Sequence, residues 1–120
     1  MGIRPAQMGL RLIFLINLIL GILFWTGKAG GGLVLVHMLL GILFVALLWW
    51  LGVAQGLRGG SIGLTLGTFI LGLILAIVGL TQASIGGLAI QIIHLLLALL
   101  AVGLGEMAGA RGVRLGAKTA

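Results

Sequence analysis

Four apolar runs, each close to 20 residues long and separated by short glycine-rich breaks, constrain this chain more than any other feature. A helix rises 1.5 Å per residue, so about 20 residues of helix cross a hydrocarbon layer about 30 Å thick. The chain is 120 residues long, 62% hydrophobic and only 7% charged, a balance outside the range of soluble domains. The expected fold is therefore an all-α membrane protein: four transmembrane helices in one up-down-up-down bundle that takes up residues 1–120 as a single domain.

The runs place the helices at about residues 8–26, 33–55, 61–82 and 88–107, with a basic tail over about 108–120. The first run follows a lead with Arg4 and Arg11, the positively charged start that a signal peptide also has. Thr26-Gly27-Lys28 after Trp25 lacks the small-x-small cleavage pattern, and the run reads as a retained helix. The connections are GKAGGG (27–32), GLRGG (56–60) and ASIGG (83–87), where glycine permits positive φ and ends helices. Trp25 and the pair Trp49 and Trp50 fall near span ends, where indole rings anchor at the membrane interface. In the third run Ser61, Thr65, Thr68, Gly72, Ala76 and Gly79 share one side of a helix, a small-residue face suited to the interior of a bundle.

Charge sets the orientation. Arg4, Arg11, Arg58, Arg111, Arg114 and Lys118 lie on one side of the bundle and Lys28 alone on the other, which predicts both termini in the cytoplasm, within the cell membrane. The net charge of +6 is thus a topology signal and a contact for anionic lipid headgroups, and nucleic acid is not an expected partner. Without cysteine, thiolate metal sites, iron–sulfur clusters and disulfides are excluded.

Two histidines lie inside the apolar runs, His37 in the second and His94 in the fourth. An ionisable residue within a span is a functional candidate by default. Counted from the span starts at Leu33 and Leu88, their depths differ by roughly 3 Å, in the outer half of the membrane. Each half of the chain pairs a span without histidine with one bearing a histidine near its start, a weak parallel repeat. Two imidazoles facing each other across a bundle suit the two axial positions of a haem iron, which brings four nitrogens of its own. Bare zinc or copper usually takes three or four protein ligands, which the pair does not supply. Gly41 and Ala98, one turn beyond each histidine, are expected to leave room for the macrocycle. Gln91, one turn before His94, is expected to orient its imidazole.

A four-span unit with His37 near the outer end of span two and His94 at matching depth in span four resembles one half of haem A synthase, a duplicated eight-span enzyme. It resembles small membrane b-type cytochromes more loosely. The resemblance implies one haem b per chain with His37 and His94 as metal ligands. The synthase carries a catalytic glutamate in the loop before its histidine span, where this chain has GKAGGG. The haem-holding part of the likeness therefore carries over and the synthase chemistry does not.

The leading expectation is a bis-histidine cytochrome that transfers electrons within the membrane, with a quinone or as a subunit of a larger redox complex, and with no catalytic residue of its own. Two other classes compete. In one, the histidines are interhelical hydrogen bonders in a structural or assembly subunit. In the other, the chain is a small channel or transporter, although the intramembrane acid that cation exporters use is missing. Asn17, mid-span in the first run, reads as interhelical glue or a polar contact to a guest. Glu106 reads as interfacial, and Lys28 as the cation nearest to outward-facing haem carboxylates.

Overall fold

The computed structural model describes residues 1–119 and contains four α-helices: α1 (Ile3–Trp25), α2 (Gly32–Leu57), α3 (Ile62–Ile85) and α4 (Leu88–Lys118). All four are long and apolar enough to cross a membrane. Lipid offers no partner to a free N–H or C=O, so an apolar run of this length satisfies its backbone by becoming helix. The helices end where the sequence supplies glycine at positive φ: Gly31 at 57° opens α2, and the pair Gly86 and Gly87 at 68° and 89° turns the chain from α3 into α4. Ser61 caps α3, its Oγ accepting from the Leu64 N–H at 3.2 Å.

The packing is a lozenge. Helices α2 and α4 touch along the short diagonal, while α1 and α3 each pack into a groove between them and make no contact with one another among the described residues. The apolar side chains of α1 and α3 that face away from the bundle, such as Leu12, Ile19, Ile70 and Ile77, are exposed, as helices in lipid require.

One end of the lozenge is tightly packed. Its core joins Ile3, Ala6, Leu10 and Ile13 of α1 to Phe44, Leu47, Leu48 and Leu51 of α2 and to Ala101 and Ala108 of α4. Without a solvent-driven hydrophobic effect, helices in lipid associate through close contact of small residues. Ala101, Gly105, Ala108 and Gly112 supply this as one stripe on α4. A methyl group added at Gly105 would strike Leu10 and lie 3.3 Å from Leu48, and one at Gly112 would strike Ile3. The expected small face of α3 does turn inward: Thr68 and Gly72 are buried, with Gly52 of α2 against the Thr68 side chain.

Polar side chains stitch this end. Buried Gln55 donates through Nε2 to the Ser61 carbonyl and to Thr65 Oγ1, both at 2.8 Å, and its Oε1 accepts from the Ser61 N–H at 2.9 Å. Arg58 donates to the Gly112 carbonyl at 2.8 Å, tying the α2–α3 connection to α4. Arg11 makes a two-pronged ion pair with Glu106, 2.7 Å at each prong, and Gln7 adds a bond to the same carboxylate at 3.3 Å. Glu106, expected at the interface, thus clamps α1 to α4.

Three expectations change. Helix α4 does not stop near residue 107 but continues to Lys118, because Ala108, Gly109 and Gly112 are buried against α1 and α2. At about 46 Å it is longer than a 30 Å hydrocarbon layer requires. Helix α1 likewise begins at Ile3, whose side chain closes the packed end. Trp49 is not an interface anchor: its ring stacks on Phe69 at 5.1 Å and its indole nitrogen is buried near Gly72. Only its neighbour Trp50 faces out.

Candidate functional site

Away from the packed end the bundle opens around a cavity of about 400 Å³. Its walls come from the C-terminal halves of α1 and α3 and the N-terminal halves of α2 and α4. The volume lies within the range of small-molecule and cofactor sites. Phe14, Phe44, Val45 and Leu75 form an apolar floor against the packed core, while Gln82 and Gln91 lie nearer the helix ends.

His37 and His94 meet in this cavity. Their ring centroids are 6.3 Å apart and the ring planes make 59° with each other. The common level follows from register, since each ring projects from the first two turns of a helix and those helices are in contact. Each imidazole rests against a glycine of a flanking helix. A Cβ on Gly21 of α1 would sit 3.9 Å from His37 Cε1, and one on Gly79 of α3 would sit 2.9 Å from His94 Cε1. Phe24 adds an edge contact to His37 at 5.5 Å.

The nitrogen atoms are the informative part. His37 Nδ1 and His94 Nδ1 are both buried with no hydrogen-bond partner among the described residues, and so is Asn17 Oδ1 in the same cavity. Buried polar atoms are normally paired, and three orphans around one space are best explained by something that enters it. If each Nδ1 stays buried, Nε2 is the nitrogen left to ligate a guest. A metal–imidazole bond is about 2 Å and an imidazole nitrogen lies about 1 Å from its ring centre, so two rings on opposite sides of one metal ion have centroids about 6 Å apart. The observed 6.3 Å matches that arithmetic.

Of the His, Cys, Asp and Glu side chains among the described residues, only these two rings line the cavity. No group of three or more His, Cys, Asp or Glu side chains that could hold a metal ion occurs among the described residues. Any metal here must bring most of its own ligands.

The other expected site residues divide. Ala98 lines the cavity and packs on the core cluster. Gly41 also lines it, but the space in front of Gly41 is met by the Asn17 side-chain amide at 3.7 Å. Gln91 lines the cavity yet does not orient His94, whose Nδ1 has no partner. Lys28 is exposed in the α1–α2 connection and is not among the cavity-lining residues. Gly21 and Gly79 were not singled out as wall residues for the rings. Their signal is present in the sequence, since Gly79 ends the small face of α3 and Gly21 lies one turn after Asn17. No protein-family model, curated protein or solved structure matches this chain.

Proposed function

We propose that this chain is a membrane-embedded b-type cytochrome that binds one haem b between His37 and His94. The observation that carries the reading is the pair of imidazoles at 6.3 Å in a cavity with orphaned polar atoms. The site fits the group on three counts. The spacing suits one iron between two Nε2 atoms, the donor set lacks the further ligands that a bare ion needs, and glycine at 21 and 79 leaves the rings their positions. Haem held there would supply reversible one-electron chemistry.

The residues of the chain have separate tasks. His37 and His94 would hold the iron. Phe14, Phe44, Val45 and Leu75 exclude water from the floor, and Ala98 and Gly41 keep the walls beside each ligand shallow. Gln82 and Gln91 offer polar groups toward the cavity mouth, and Lys28 is the nearest cation in sequence for carboxylates that face outward. In this reading the bundle alternates up and down in the cell membrane with both termini in the cytoplasm, an orientation supported by six cations against one. That orientation puts the site in the outer half of the bilayer. A single haem there does not carry an electron across the whole layer, so the partner is a quinone, an external redox protein or a further redox subunit.

The competing structural reading makes the histidines interhelical hydrogen bonders. Their Nδ1 atoms form no such bond among the described residues.

The test is spectroscopic. Chain purified in detergent from haem-replete cells is expected to show a reduced-minus-oxidised low-spin haem spectrum, lost in His37→Ala and in His94→Ala alike. A colourless preparation that also fails to take up added haem refutes the proposal, and low-spin haem retained by either variant refutes the ligand assignment.

A further inference from the structure

The two ligand histidines do not have the same surroundings. The difference lies on α1. Asn17 is half-buried in the cavity wall, its amide nitrogen facing Gly41 at 3.7 Å and its Oδ1 without a partner. Gly41 lies one helical turn along α2 from His37, so the Asn17 amide is next to His37 on the same wall. His37 Nδ1 is buried and unpaired as well. One orphan accepts and the other, when the ring uses Nε2 as a ligand, must donate. His94 lies against Gly79 and the other imidazole, and its Nδ1 is likewise unpaired.

We infer that Asn17 is a positioning residue for His37, its side-chain carbonyl taking the Nδ1–H so that the proton is held there and Nε2 is left free for the cavity. Gly41 faces this amide, whose Nδ2 would lie 3.7 Å from a Cβ placed there. The neutral imidazole otherwise divides its proton between the two nitrogens, and only the form with the proton on Nδ1 can ligate through Nε2. A partner at the far nitrogen fixes both the tautomer and the ring angle, and its loss from metal sites typically costs about 10–100-fold in affinity. His37 is then the pre-set ligand, and His94 closes on the opposite side.

The consequence for haem rests on the proposed cytochrome reading, but the tautomer is a property of the haem-free chain, so the two are tested apart. Chain labelled with ¹⁵N only in histidine, purified without haem and assigned by single substitution of each histidine, is read by the nitrogen shifts of its two rings. The expected result is a protonated Nδ1 and bare Nε2 at His37, with His94 mixed. In Asn17→Leu, His37 becomes mixed as well, while Asn17→Asp keeps the proton on Nδ1. In haem-loaded chain, Asn17→Leu releases haem about 10-fold faster, and Asn17→Asp, with a negative acceptor, lowers the midpoint potential. A His37 ring whose tautomer is the same in wild type and Asn17→Leu overturns the inference, because the Nδ1 proton is then held without the Asn17 side chain. If Asn17→Leu is unfolded, Asn17→Ser and Asn17→Asp give the same comparison with a shorter and a charged acceptor. A chain that takes up no haem yet shows the tautomer change leaves Asn17 in place and removes the cytochrome.

Discussion

Gly79→Ala is the sharpest probe of the cavity, because its effect follows from three distances. The added methyl would lie 2.9 Å from His94 Cε1, 3.5 Å from Nδ1 and 3.9 Å from Nε2. Carbon atoms rest at about 3.5–4.0 Å, so the ring must retreat by about 0.6–1 Å. It can do so only by turning about its side-chain torsions, which carries Nε2 off the line toward His37. Overpacking of this kind costs about 1–3 kcal/mol, equivalent to about 5- to 150-fold weaker binding. Gly21→Ala is the matched control, since its methyl would sit 3.9 Å from His37 Cε1, an ordinary contact. Both changes replace glycine with a better helix former, worth about 1 kcal/mol at most, which offsets part of the overpacking at Gly79, so stability is read beside binding. The assay is titration of haem into detergent-solubilised, haem-free chain by absorbance, with unfolding followed by circular dichroism. Gly79→Ala should bind at least about 5-fold more weakly and Gly21→Ala within twofold of wild type. Equal affinities for the two variants would refute the placement of His94 against α3, whatever the absolute values.

The packed end offers further tests, read by thermal unfolding in detergent. Gln55→Leu leaves the Ser61 N–H without its partner, while the Ser61 carbonyl keeps the Thr65 N–H at 3.1 Å, and should cost about 1–3 kcal/mol; a loss near zero would mean that water takes over the freed N–H. Gly109→Leu drives a side chain into Gln7 and should separate α1 from α4, destabilising the chain by at least about 1–3 kcal/mol, whereas the same change at Gly103, which faces open space, should be tolerated. Glu106→Gln breaks the two-pronged pair with Arg11, whose side chain is 60% exposed, so the loss should stay below about 1 kcal/mol and shrink as salt is added.

The sequence reveals this molecule where one-dimensional pattern and physics coincide. Apolar runs of span length give four helices, the three- and four-residue spacing from Ser61 to Gly79 marks the inward face of α3, and equal depth brings His37 and His94 together. It is less informative where the deciding contact lies on a distant segment. Residues 108–118 carry three cations and several glycines, which reads as a tail, and only the fit of Gly109 and Gly112 against Gln7, Ile3 and Gln55 shows that the glycines are a packing surface. Gln55 looks like a polar residue at a span end until Ser61 and Thr65 fold back onto it. Trp49 and Trp50 are alike as letters. About 100° of helix rotation between neighbours sends one onto Phe69 and the other outward. Gln91 has the right spacing to serve His94, but its position lies at the rim and the ring nitrogen is left alone.

The contact between α2 and α4 has a mechanical consequence. Leu48 meets the open side of Gly105, and each of these residues lies 11 positions from the histidine of its own helix. Along a helix that is about 16 Å on both arms. The two helices therefore work as a pair of equal tongs, with Leu48 and Gly105 at the fulcrum and the imidazoles at the tips. A change of one degree in the angle between the arms alters the gap at the tips by about 0.3 Å, so three or four degrees move the two rings apart or together by about 1 Å. The separation of the rings is thus governed as much by a hydrogen atom in place of a side chain at Gly105 as by anything in the cavity itself.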